Sequence, residues 1–232
     1  MLEKILPYEE SFFYSLNGSD SCLMDHFIWL FSYKFTWIPL YLCFFILFIY
    51  KYRNNWKEYV LIFVSLFLVI LICDQVASGI LKPMIERYRP THHPDFKDHV
   101  RILFGYRGGL YGFASSHASN AFGFATFTVL LFRNKWFSLL LFTHALITSY
   151  SRIYLGVHFI SDIVAGALIG IFTGILIYKL YLYGRKKLII KDKDESVIPR
   201  YNFKEVLGVY CTYFLIITFL LIFNNQLVKL TL

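Results

Sequence analysis

Ser151-Arg-Ile-Tyr-Leu-Gly-Val-His158-Phe-Ile-Ser-Asp162 is the stretch that decides how this chain is read. One apolar run precedes it and another follows, so Arg152, His158 and Asp162 stand at the junction of two hydrophobic segments. With the second run helical, His158 and Asp162 fall on one face, one turn apart. A carboxylate there can accept the Nδ1 proton of His158 and leave Nε2 free as a nucleophile. Arg152 adds a fixed cation whose fork of donors matches phosphate. These twelve residues alone allow a plainer reading as well, in which Asp162 complements a helix N-terminus and His158 is an interfacial side chain.

The 232-residue chain is 57% hydrophobic, 20% aromatic and only 16% charged, with a mean hydropathy of +0.54. A soluble domain carries roughly a quarter charged residues. Several long apolar runs therefore indicate an all-α, polytopic membrane protein forming a single domain over residues 1–232. Residues 1–26 mix aromatics with acids, and no basic region leads into an apolar one. This is not a cleaved signal peptide; an interfacial amphipathic segment is expected. Six spans follow, at about Phe27–Tyr50, Tyr59–Leu81, Phe113–Phe132, Trp136–Tyr154, Val157–Tyr183 and Val206–Phe223. Cys43, Cys73 and Cys211 lie in these runs as packing residues, and with Cys22 they show no metal-ligand or disulfide spacing.

A net charge of +8 is compatible with nucleic-acid binding, but its distribution points to membrane topology. The loops after spans one, three and five hold 3, 2 and 7 Lys/Arg, which is 12 of the 23. The positive-inside rule makes those loops cytoplasmic, including the basic connector 184–204. Both termini and the loops after spans two and four then face outward. Lys82 and Arg89 leave span two on that side, Ser115 to His117 enter span three, Arg152 leaves span four and His158 enters span five. Basic residues placed outside, against the topological bias, are best explained by an anion.

Lys82, Arg89 and Arg152 give three cations in one outward pocket, and helix N-termini add positive dipole ends. Such a site fits a phosphoryl group, whose transition state spreads charge over three equatorial oxygens. His158, oriented by Asp162, can attack phosphorus. His117 can protonate the leaving oxygen and then deprotonate the water that cleaves the phosphohistidine. No Asp/Glu cluster is available for Mg²⁺, so no metal and no cofactor are expected.

Lys82 to Pro90 reads K-x6-R-P, Ser151 to Asp162 reads S-R-x5-H-x3-D, and Ser115-x-His117 lies between them. In order, spacing and placement these motifs resemble the three signatures of the type 2 phosphatidic acid phosphatase superfamily, related to vanadium-dependent haloperoxidases. The motifs cover roughly residues 59–183, the expected helical core. The resemblance implies that Lys82, Arg89 and Arg152 bind phosphate with Ser115 and the Ser116 backbone. It implies His117 as general acid/base, His158 as nucleophile and Asp162 as its orienting partner. The family's middle motif is usually P-S-G-H, whereas this chain has Ala114-Ser115-Ser116-His117; Ser116 is expected to add a donor or tighten the pocket.

The expected activity is hydrolysis of a lipid phosphate or diphosphate: polyprenyl (undecaprenyl) diphosphate, phosphatidylglycerophosphate, phosphatidate or a lipid A phosphate. The substrate enters sideways from the bilayer. A phosphotransferase would need the same residues; a transporter is disfavoured by the lack of paired broken spans. The short chain suggests a bacterial inner membrane, with the site facing the periplasm. Among other polar residues, Asp74 and His144 are expected to form interhelical hydrogen bonds, Glu86 and Arg87 to pair with each other, and Tyr111 and Tyr154 to be interfacial. His92, His93 and His99 lack a closed ligand set, and Arg107 is equally a candidate for touching the head group and for simple solvent exposure.

Overall fold

The computed structural model describes residues 2–189 and 201–231. Two short helices open the chain: α1 (Leu6–Leu16) and α2 (Cys22–Ser32). Then come α3 (Ile38–Lys51) and a 30-residue helix, α4 (Trp56–Ile85). The remainder is α5 (Ser116–Phe132), α6 (Lys135–Tyr154), α7 (Ile160–Leu188) and α8 (Phe203–Thr231). Among the described residues the one extended pairing is an isolated bridge between Tyr88 and Tyr111. Four helical stretches are long and apolar enough to cross a membrane: Lys34–Lys51, α4, α7 and α8. Cys22–Ser32 is a shorter apolar helix, and α5 and α6 fall outside this group. Six crossings are therefore not established by length and composition.

Side-chain caps mark where several helices begin. Asn55 accepts the Glu58 amide at the start of α4, and Asn134 accepts those of Trp136 and Phe137 at the start of α6. Arg133, at a φ of 55°, closes α5 in the left-handed region and makes the tight turn into α6. The expected first span is broken. Its helix stops at Ser32 and resumes after Trp37, because the Thr36 hydroxyl and the Trp37 indole N–H take the carbonyls of Leu30 and Phe31. Pro39 then begins a fresh helix. The last helix passes the expected end at Phe223, which has non-helical angles, and runs on to Thr231.

The α4 helix changes its winding before the first motif. Residues Gln75–Leu81 are π-helical, with the Lys82 amide bonded to the Ala77 carbonyl five residues back. Pro83 follows, lacking an amide to donate and crowding the preceding turn, so an α-helical ladder cannot run through unaltered. At the other end of α4, the buried Glu58 carboxylate accepts both Arg185 Nε at 3.1 Å and the Tyr181 hydroxyl of α7. Arg185 thus belongs to α7, which extends to Leu188, and not to a solvated connector; residues 190–200 of that connector lie outside the described residues.

Helices α5 and α7 meet backbone to backbone. A Cβ on Gly166 would stand 2.4 Å from the Ser115 carbonyl, and one on Gly170 would stand 2.3 Å from that of Ser119. One on Gly174 would lie 2.8 Å from the Gly123 carbonyl. Glycine every fourth residue puts all three on one face of α7, letting the two helices approach to contact. Around this pair lies an aromatic-rich core that includes Phe44, Phe48, Phe127, Phe132 and Phe137. Tyr41, Phe67, Phe172 and Leu215 point outward, as lipid-facing side chains would.

The packing carries a prediction. Gly170→Leu must force α7 off α5, so the detergent-solubilised protein should melt many degrees lower or fail to fold, and even Gly170→Ala should cost about 1–3 kcal/mol. Gly109→Ala, which meets nothing within 4 Å, should leave the melting temperature unchanged.

Candidate active site

His158 stands in the loop between α6 and α7, because α7 begins at Ile160 and not at Val157. Its Nδ1 lies 3.3 Å from Asp162 Oδ2, and both side chains are buried. The same Oδ2 accepts the Phe159 amide at 3.0 Å. Asp162 therefore meets both readings of the sequence at once, complementing the start of α7 and facing the imidazole. Its other oxygen, Oδ1, accepts Arg87 Nη1 at 2.8 Å. Gly112 closes over the pair: a Cβ there would be 2.9 Å from Asp162 Oδ2 and 3.6 Å from His158 Nδ1.

Three cations converge near this pair, each held by neutral partners. Arg152 Nη1 donates to the Ser32 hydroxyl, and its Nη2 donates to Tyr106 at 2.9 Å. Arg89 Nε donates to the Tyr111 carbonyl at 3.0 Å, and the guanidinium lies against Gly108, where a Cβ would be 2.4 Å from Nη1. Lys82 Nζ donates to Ser78 at 3.0 Å and to Ser116 at 3.5 Å. None of the three takes a carboxylate as its ion-pair partner among the described residues. Burial among other cations disfavours the charge on Arg89, chiefly through desolvation and then through Arg152. A cluster of this kind is stabilised by an arriving anion.

Ser115 caps α5, accepting the Ala118 amide at 3.4 Å, while its own amide donates to the Asp162 carbonyl at 3.0 Å. This bond and the glycine face of α7 tie the middle motif to the last one. His117, on the first turn of α5, is within electrostatic reach of Arg152, His158, Arg89 and Lys82. It also lines a cavity of about 670 Å³. The cavity runs from Ser116 and His117 between α3, α4 and α5, walled by Phe44, Phe63, Leu66 and Phe124, with the exposed Tyr41 and Phe67 at its side.

A family model described as the PAP2 superfamily matches residues 59–186. The chain belongs to the PAP2 superfamily. It is 44% identical over 186 residues to a lipid A 4'-phosphatase of Porphyromonas gingivalis, covering 80% of this chain and 78% of that one. It is 38% identical over 200 residues to a lipid A 4'-phosphatase of Bacteroides thetaiotaomicron, covering 86% of each. The crystal structure of Aquifex aeolicus LpxE superposes with a TM-score of 0.55 at 29% identity, covering 74% of this chain and 95% of that one. Like these PAP2 relatives, the chain is a membrane lipid phosphatase.

Several expectations for single residues are corrected. Arg87 does not pair with its neighbour Glu86, which is exposed; it is buried between Asp162 and Glu9 of α1. Tyr154 is fully buried, and its hydroxyl donates to Asp25 at 2.7 Å. Asp74 bonds Ser78 on its own helix, not a residue across an interface. Among the described residues His144 has Thr148 of its own helix as its hydrogen-bond partner, and it packs edge-on against Trp37 at 4.3 Å. Arg107, by contrast, is exposed as one of its two expected readings has it, with Nη1 donating to the Thr91 carbonyl. Among the described residues no group of three or more His, Cys, Asp and Glu is arranged to hold a metal ion.

Glu9, Ser32, Arg87, Tyr106 and Gly112 are the site neighbours that sequence reasoning missed. One signal was present for Arg87. Glu86-Arg-Tyr-Arg89 leads into an extended segment, where alternate residues share a face; Arg87 and Arg89 are buried while Glu86 and Tyr88 are exposed. The contact at Gly112 generates a prediction: Gly112→Ala should displace the Asp162 carboxylate from His158. Phosphate release should fall about tenfold or more, while the melting temperature changes little. Equal rates for the two proteins would show that the space around the pair is not critical.

Proposed function

We propose that this PAP2 phosphatase removes a phosphate from lipid A, at the 4' position named for its two relatives, through a phosphohistidine on His158. The observation that carries the reading is that a largely apolar cavity reaches Ser116 and His117, and Ser116 bonds Lys82, the first of the three cations. Ser116 and His117 stand at its polar end, beside the cations, and apolar side chains line its depth. An amphiphile with a phosphorylated head and a long acyl chain fits both. The exposed Tyr41 and Phe67 at the side of the cavity mark an entry from the bilayer.

With its proton on Nδ1, His158 donates to Asp162 and presents the Nε2 lone pair. Nε2 attacks phosphorus while the P–O bond to the sugar breaks, and protonated His117 gives its proton to the leaving oxygen. A water molecule then attacks phosphorus, neutral His117 takes its proton, and the P–N bond breaks to release phosphate. Lys82, Arg89 and Arg152 hold the equatorial oxygens throughout. The Ser115 hydroxyl, whose oxygen accepts from Ala118, has its proton left to donate to phosphate. Ser116, in place of the usual glycine, anchors Lys82.

In this reading the protein is a single domain in a bacterial inner membrane, with the site facing the periplasm. The basic loops, 12 of the 23 Lys/Arg, support that orientation. Six crossings result if α2 and α3 share one, and α5 and α6 each add another.

Phosphate release by the detergent-purified protein, with EDTA present, tests the proposal across lipid A, undecaprenyl diphosphate, phosphatidylglycerophosphate and phosphatidate. Lipid A should be the preferred substrate and EDTA should have no effect. His158→Ala should abolish release, and Asp162→Asn should lower it by about 10²–10⁴-fold. Normal turnover by His158→Ala would end the phosphohistidine scheme, and a different preferred lipid would end the substrate assignment.

The pH profile is a second check. Burial, followed by Arg89, Arg152 and Lys82, holds the His158 imidazole well below its ordinary value of 6.5. A lowered value keeps the imidazole neutral as the pH falls, so the attacking form is lost only further into acid. The acid limb of the kcat/KM profile, which reports protonation of His158, is therefore expected below about 6.5, and loss of the His117 proton sets the limb on its alkaline side. An acid limb centred above 6.5 would contradict this.

A further inference from the structure

We propose that Glu9, on the N-terminal helix α1, is a positioning residue for the phosphatase reaction, acting through Arg87 to fix the Asp162 carboxylate against His158. The inference rests on the roles just proposed for His158 and Asp162. Arg87 is buried and divides its fork between two acids. Its Nη1 donates to Asp162 Oδ1 at 2.8 Å and to the Ser161 hydroxyl at 2.6 Å, while Nη2 donates to Glu9 Oε1 at 2.6 Å. The guanidinium carbon lies 4.4 Å from the centre of the Phe159 ring, which covers one face. Glu9 binds the start of α7 directly as well: Oε2 accepts the Ser161 amide at 2.9 Å and Oε1 its hydroxyl at 3.0 Å.

The helix that supplies Glu9 is docked, not adrift on the membrane surface. Phe13 is fully buried, with its ring 5.5 Å from that of Phe159, the residue after His158. Asn17, which ends α1, donates to the carbonyls of Arg101 and Tyr154 and accepts the Arg101 amide. Leu6, Phe96, Val100 and Ile153 complete the small core beneath it. Tyr8 and Phe12 point the other way and are exposed.

Two buried carboxylates that flank one guanidinium hold it from both ends. With Glu9 gone, both Nη groups can turn to Asp162, since a bidentate pair is the favoured geometry. That would draw the carboxylate from an imidazole contact already 3.3 Å long. The Nδ1 proton of His158 would lose its acceptor, and Nε2 would be a weaker, worse-oriented nucleophile. Glu9 touches neither the reacting atoms nor the three phosphate-binding cations, so its loss should leave substrate binding almost intact.

The test is initial-rate phosphate release from lipid A by the full chain in detergent, with melting temperatures measured alongside. Glu9→Gln and Glu9→Met are close in size to the native residue and differ in polarity. Either variant, once folded, should show kcat reduced about tenfold or more with KM within about threefold. In an Arg87→Ala background, Glu9→Gln should bring no further loss, because the residue through which Glu9 acts is already gone. A folded Glu9 variant with native kcat, a loss confined to KM, or the full loss repeated in the Arg87→Ala background would overturn the proposal. His158→Ala and Asp162→Asn run in the same assay separate the two levels. Native turnover in those variants refutes the underlying mechanism, whereas their inactivity beside active Glu9 variants refutes the positioning role alone.

Discussion

Asp162 has no exposed surface, and a carboxylate so placed is stable only when its oxygens are paired and hydrogen-bonded. This end of the molecule is built around meeting that demand. The Phe159 amide and His158 share Oδ2, and Arg87 takes Oδ1. Arg87 in turn requires a second acid, which arrives on α1, and α1 is packed against the residue that follows His158. One buried charge thereby links the N-terminal helix, the extended segment after α4 and the start of α7. The backbone of Asp162 adds a fourth link, accepting the Ser115 amide from the head of α5.

Lys82, Arg89 and Arg152 follow the opposite rule. Their partners are hydroxyls and a backbone carbonyl, which orient a cation without neutralising it. The protein thus compensates the charge proposed to orient His158 and leaves without a carboxylate partner the charges proposed to face phosphate. The cavity beside His117 repeats the division in space. Its walls are largely apolar, and beyond Ser116 and His117 stand the cations, so in the proposed function neither half of the lipid is desolvated without compensation.

Much of this was legible in the chain because the groups proposed for catalysis sit at fixed spacings beside apolar runs. Lys82, Arg89, Ser115, His117, Arg152, His158 and Asp162 could be assembled by supposing that four helix ends share one side, and the structure brings those ends together. What escaped were partners distant in sequence. Nothing near Glu9 announces that it will bond Ser161, 152 positions away, or share Arg87 with Asp162. Hydropathy also averaged across the break at Ser32, which is made by side chains capping carbonyls and not by any loss of apolar character. The glycines at 166, 170 and 174 carried a readable fourfold spacing, yet their partner helix could be named only once the carbonyls of Ser115, Ser119 and Gly123 were seen against them.

The π-helical stretch at Gln75–Leu81 sets the angular phase of Lys82. Cys73 faces inward from α4, and Lys82 lies nine residues further on. At roughly 100° per residue, an unbroken α-helix would place Lys82 on the side opposite Cys73, directed at lipid. Wider turns use fewer degrees per residue, so across this stretch the helix falls behind the α-helical count, and Lys82 swings round to meet Ser116. The first cation of the site is therefore aimed by a winding error retained in the helix, and distances in residues along α4 cannot be converted to directions by the usual helical wheel.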